Sequence, residues 1–144
     1  MLSRDEICRL IPHRDPFLWI DEVTNATETA LTARKLVPAD LDVFRGHYPG
    51  QPLLPGVLIC EAALQAGAVL IARQQGGASA AGRVPVVTRI NNVKFRQMVR
   101  PGDVLEIEVT LSERLADAYF LSAKIRVAGK TAAQLEFVCT LAPV

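Results

Sequence analysis

The spacing of hydrophobic and polar residues changes several times along this chain, and each rhythm predicts an element. Ser3 followed by Glu6 has the spacing of a capping box and predicts a short helix over Arg4–Leu10, ended by Pro12. In the following PHRDP loop, Pro16 keeps Asp15 out of helical geometry. Phe17–Val23 is largely apolar and predicts a first strand. Thr29–Val37 predicts a second, with Ala30, Thr32 and Arg34 alternating against Leu31, Ala33 and Lys35 without strong facial contrast. Pro38–Pro55 is a long connection holding two acids, a histidine and four prolines, a length typical of functional loops. Pro55 and Gly56 open one long helix that ends near Gln75, before Gly76 and Gly77. That helix is apolar all round, so it must be buried on most sides. The flexible joint GGASAAG leads to four strand-like segments, Val84–Phe95, Val104–Leu115, Tyr119–Val127 and Ala132–Leu141. Pro101-Gly102-Asp103 and Ala128-Gly129-Lys130 supply turns between them.

The simplest packing of this order is an α+β domain, with an antiparallel sheet wrapped around one long central helix. The 144 residues suit a single domain over 1–144. Half of them are hydrophobic and 22% are charged, which excludes a disordered chain. A net charge of +1 gives no general reason to expect nucleic-acid binding. The apolar run Val57–Ala72 is broken by Glu61 and Gln65 and falls short of the roughly 20 residues of a membrane span. No signal peptide is visible, and Cys8, Cys60 and Cys139 have no metal-type spacing. These features lead us to expect reduced thiols in a cytoplasmic protein that neither enters a membrane nor binds nucleic acid.

Candidate chemistry gathers in FRGHYPGQPLLPGVLICEAALQ, Phe44 to Gln65. His47 lies in a loop between Gly46 and Gly50, and fourteen residues later Glu61 interrupts the apolar helix. Burial disfavours the charged form of a carboxylate, so a carboxyl in this setting can donate a proton near neutral pH. A loop imidazole beside it would complete an acid/base pair. Gln65, one turn on, would hold Glu61 or a substrate hydroxyl, or else satisfy a backbone carbonyl. Gly56 stands at the helix start, where free amides and the dipole could polarise a substrate carbonyl or simply begin a helix. His13 is read as a structural loop residue and Cys60 as packing. Two distant histidines with no partner cysteine make no metal site. Arg83, Arg89, Lys94, Arg96 and Arg100 form a basic run without acids, either a solvated surface or a dock for an acidic protein.

Three blocks, IPHRDPFLWID, FRGHYPGQPLLPGVLICEAALQ and VKFRQMVRPGD, resemble the signature blocks of the 3-hydroxyacyl-[acyl-carrier-protein] dehydratases. The likeness runs in order from about Ser3 to Leu141. It implies the hot-dog fold and a homodimer, alone or as a trimer of dimers. It further implies an active site at the dimer interface, where His47 of one subunit meets Glu61 of the other. By this resemblance His47 removes the proton alpha to the thioester and Glu61 protonates the departing beta-hydroxyl. Gly56 binds the carbonyl, and if the basic run is a dock, Lys94, Arg96 and Arg100 would receive the acidic carrier protein. The reaction would dehydrate a (3R)-hydroxyacyl thioester to a trans-2-enoyl thioester without cofactor or metal, the acyl chain lying along the helix. Glu61, rather than aspartate, resembles the dehydratases proper more than the related isomerising enzymes.

Asp15 stands where the family often carries an aromatic residue, and VPVVTR lacks the aromatics that commonly line the tunnel mouth. Both departures bear on chain length. Two other readings belong to the same fold: an acyl thioesterase in which Glu61 activates water, and a non-catalytic subunit that completes a partner's site.

Overall fold

The computed structural model of the chain describes residues 1–77 and 82–143; part of the GGASAAG joint lies outside the described residues. The elements are α1 (Arg4–Leu10), β1 (Glu22–Ala26), β2 (Ala30–Leu36) and a 3-10 turn (Asp42–Arg45). They continue with α2 (Gly56–Gln74), β3 (Arg83–Phe95), β4 (Val104–Leu115), β5 (Ala118–Val127) and β6 (Lys130–Pro143). All six strands form one antiparallel sheet in the order β1-β2-β4-β5-β6-β3. The sheet curls around α2, which touches β2 through β6. This is the hot-dog arrangement.

Local chemistry sets the ends of each element. In α1 the Ser3 hydroxyl accepts from the Glu6 amide while the Glu6 carboxylate accepts from the Ser3 amide, completing the capping box. β4 alternates cleanly, burying Leu105, Ile107 and Val109 and exposing Glu106, Glu108 and Thr110, as a strand with one wet face must. β2 turns Leu31, Ala33 and Lys35 to the same buried side. Lys35 blurs that pattern because its stem is covered while its ammonium reaches Asp21 at 3.2 Å, 5.6 Å from the Trp19 ring.

The first strand starts later than the sequence suggests. Phe17–Ile20 stays outside the sheet, and pairing with β2 begins at Glu22. The Gln65 side chain explains this: its amide donates to the Phe17 carbonyl at 2.9 Å, and its oxygen accepts from Trp19 N–H at 2.8 Å. A side chain on α2 thus takes hydrogen bonds that a strand would have given to a neighbour. The long connection also contains the short 3-10 turn, which no periodicity announces.

By length and hydropathy α2 could cross a membrane, yet Ala62, Ala63, Ala66 and Val69 are fully buried against the sheet. Gly67 lets Phe137 come close: a Cβ there would stand 2.7 Å from the ring, which is 1% exposed and has nowhere to go. Gly67→Ala is therefore expected to destabilise the fold by about 1–3 kcal/mol despite alanine's better helix propensity. Urea unfolding checks this, and a neutral result would mean that Phe137 can move.

One stripe of α2 is left open by the sheet. Val57 is 75% exposed, and Glu61 and Leu64 on the same side are only partly covered. A second uncovered surface is β3, which among the described residues pairs only with β6 and exposes Val86, Val87, Ile90, Val93 and Phe95. A long edge strand with apolar residues on show is a ready interface.

Candidate active site

His47 is held at both ends by its backbone. Its N–H donates to Val43 O at 3.0 Å, and its carbonyl accepts from Leu53 N–H at 2.9 Å. Nδ1 lies 2.8 Å from Leu53 O. A carbonyl can only accept, so Nδ1 carries the proton and Nε2 keeps its lone pair. The ring is half-buried and stacks on Tyr48 at 4.2 Å. Of the two flanking glycines, Gly50 needs its freedom, with φ at +77°; Gly46 has no left-handed φ.

Gly56 is the first residue of α2, and no side chain caps the helix start. Its amide belongs to the set that lacks intrahelical partners. The Phe95 ring, at the end of β3, lies so close that a Cβ on Gly56 would meet it at 2.7 Å. Leu53, Leu54, Ile59, Met98 and Val99 complete an open apolar cleft around this point.

Glu61 lies one turn beyond Gly56 with its side chain 19% exposed. Within the chain it does not meet His47; the histidine beside it is His13, whose Nε2 stands 3.8 Å from Oε1. The Gln65 amide donates to the same oxygen at 3.2 Å. Both Gln65 N–H groups are thus committed within the chain, to Glu61 and to Phe17, and its oxygen accepts from Trp19. Gln65 holds the carboxyl and satisfies the backbone, and no amide hydrogen is left for a substrate hydroxyl.

From the sequence His13 reads as a structural loop residue, and its contact with Glu61 is not foreseen. The only signal for it was its place in the PHRDPF block, because a contact across 48 positions has no local periodicity. Burial is the main influence on His13 and pushes it below the ordinary histidine value of 6.5; Glu61 opposes this and Arg14 adds to it. His13 is therefore neutral at pH 7. As pH falls below about 6.5, the unfolded chain binds this proton before the folded one, so stability present above that point is lost on acidification. Urea unfolding between pH 5 and 7.5 is expected to show a steeper acid decline in wild type than in His13→Gln. Equal slopes would contradict the assignment.

Burial raises the Cys60 thiol and pushes Cys139 up to about 12, which makes both poor nucleophiles and fits packing roles. The basic run divides. Arg83 pairs with Asp117 at 2.6 Å, and Lys94 lines a polar groove on the outer sheet face with Glu108 and Lys124. Arg96 borders the Gly56 cleft, and Arg100 an adjoining hollow lined by Tyr48 and Pro52. Among the described residues no cluster of histidine, cysteine or carboxylate groups could hold a metal ion.

The family model described as the FabA-like domain matches residues 11–136. The chain belongs to the FabA-like family. Relatives named 3-hydroxyacyl-[acyl-carrier-protein] dehydratase FabZ match over most or nearly all of their length. The Rickettsia bellii protein is 36% identical over 137 residues, 94% of this chain and 93% of that one. The Clostridium perfringens protein is 37% identical over 138 residues, covering 96% and 97%. The Oenococcus oeni protein is 41% identical over 113 residues, covering 78% and 79%.

Solved structures with the FabA-like chain's fold include the dehydratase heterocomplex ApeI:P from Xenorhabdus doucetiae. That match has a TM-score of 0.78 at 18% identity, over 94% of this chain and 90% of that one. A hypothetical thioesterase with coenzyme A from Streptococcus pneumoniae has a TM-score of 0.64 at 11% identity, covering 85% of each chain. Both likenesses concern the fold.

Proposed function

We propose that the chain dehydrates (3R)-hydroxyacyl thioesters of acyl carrier protein reversibly to trans-2-enoyl thioesters, in fatty-acid synthesis. The nearly full-length match to the FabZ dehydratases carries this reading. In the reaction, His47 Nε2 takes the alpha proton while the thioester carbonyl accepts from the Gly56 amide, which stabilises the enolate. The electron pair then forms the alpha–beta double bond, and the beta-hydroxyl leaves as water with a proton from Glu61. Hydration runs the same steps in reverse. The thioester itself acidifies the alpha carbon, so the residues named are sufficient.

The absence of a His47–Glu61 contact within one chain supports a site completed by a second copy. Edge-to-edge pairing of β3 would cover its exposed apolar residues and extend the sheet across the dimer. The acyl chain would lie beside Val57, Glu61 and Leu64, the stripe that the chain's own sheet leaves open. Arg96, bordering the Gly56 cleft, and Arg100, in the hollow beside it, are the favoured contacts for the acidic carrier; Lys94 faces a different groove and would be a weaker one. The three free cysteines fit a cytoplasmic setting.

The test is purified protein with a trans-2-enoyl carrier thioester, following enoyl loss and free thiol together. Enoyl loss without thiol release is expected. Thiol release would move the protein to the thioesterases, and no turnover at any chain length would leave a subunit that needs a different partner.

A further inference from the structure

Two side chains with N–H groups approach Glu61, and both address one oxygen. Gln65 Nε2 donates to Oε1 at 3.2 Å, and His13 Nε2 stands 3.8 Å from the same atom. Among the described residues no hydrogen bond reaches Oε2. At 3.8 Å the His13 approach is too long for a hydrogen bond, but catalytic contacts that are long in the free enzyme tighten when substrate binds.

The second nitrogen of His13 fixes its tautomer. Nδ1 is buried with no partner. An N–H sealed without an acceptor costs more than a bare ring nitrogen, so the proton of the neutral ring sits on Nε2 and faces Glu61. The loop that carries His13 is firmly tied. Arg14 donates to the carbonyls of Cys8, Ile11 and His13, joining the loop to α1. Gln65 ties Phe17 and Trp19 to α2. Glu61 from α2 and Arg14 from its own loop are the charged groups that act on the imidazole.

On the dehydratase reading above, we propose that His13 is a positioning residue for Glu61. With Gln65 it holds Oε1 as the acceptor oxygen, so that Oε2 carries the proton delivered to the departing hydroxyl. One carboxyl oxygen is approached from two separate elements, at 3.2 and 3.8 Å, and no hydrogen bond among the described residues reaches the other. A carboxyl held at a single point can rotate about its last torsion, and misplacement of about 1 Å at a reacting group is enough to cost on the order of 100-fold in rate.

The experiment compares His13→Phe, which keeps a buried ring without a donor, with His13→Gln, which keeps an N–H at similar reach. Both are assayed by hydration of an enoyl carrier thioester, with melting temperatures recorded. His13→Phe is expected to lower kcat about tenfold while KM stays within about twofold, and His13→Gln to recover most of kcat. On a Glu61→Gln background, His13→Phe should add no further loss, because the proton donor it positions is gone. His13→Leu replaces the Phe variant if that chain does not fold. Wild-type kcat without the donor, equal losses in both variants, or a change in KM alone would each overturn the proposal. A wild-type chain with no turnover would overturn the dehydratase reading itself and this proposal with it.

Discussion

Two inactive variants, mixed as chains, are expected to regain activity. His47→Ala and Glu61→Gln should each lose roughly 100- to 10,000-fold in kcat, the range for removing a general base or acid. If each site takes His47 from one protomer and Glu61 from the other, a mixed dimer has one site with both residues intact and one with neither. Random pairing makes half of the dimers mixed, so equal amounts co-folded should reach about a quarter of wild-type turnover. If both residues served the same chain's site, every site would lack one of them and mixing would restore nothing. Turnover of the co-expressed pair, with each variant purified alone as the baseline, decides between these arrangements.

The second large effect is expected at the β3 edge. Val87 is 40% exposed and Ile90 44%, so lysines at both positions disturb little in the isolated chain. Across a two-fold axis they would place four like charges on one seam, and like-charge juxtaposition costs several kcal/mol. We expect dimer affinity to fall on the order of 1,000-fold. Light scattering should then record a folded monomer, and turnover should fall with the loss of dimer. Leu115→Lys is the control, since Leu115 is equally apolar and 55% exposed but lies on β4, away from β3. A charged β3 that leaves both mass and turnover unchanged would exclude this edge as the interface.

Much of the fold is legible in the chain because its signals are local. Ser3 and Glu6 cap each other, Pro55-Gly56 and Gly76-Gly77 bracket α2, and β4 alternates from Leu105 to Thr110 because only one face of that stretch is wet. The misreadings arise where a distant side chain decides the outcome. Phe17–Ile20 is apolar enough for a strand, but Gln65 takes its backbone groups. Lys35 hides the facial contrast of β2 because a lysine can bury its stem and still reach an acid. The candidate site divides in the same way. His47, Gly56 and Glu61 are recognisable from their own surroundings, a glycine-bounded loop and a helix start and interior. The His13 contact exists only once α1, its loop and α2 are packed together.

The strand order also has a consequence for synthesis. β3 leaves the ribosome before β4, β5 and β6, yet among the described residues its only partner strand is β6, with Val84 opposite Ala142 and Phe95 opposite Ala133. Its apolar edge therefore waits, unpaired, while about fifty further residues are made. During that interval it is the segment most open to a chaperone or to another unfinished chain. The β1-β2-β4-β5 part of the sheet can pair as it is made, but β3 joins it only when the last strand has closed.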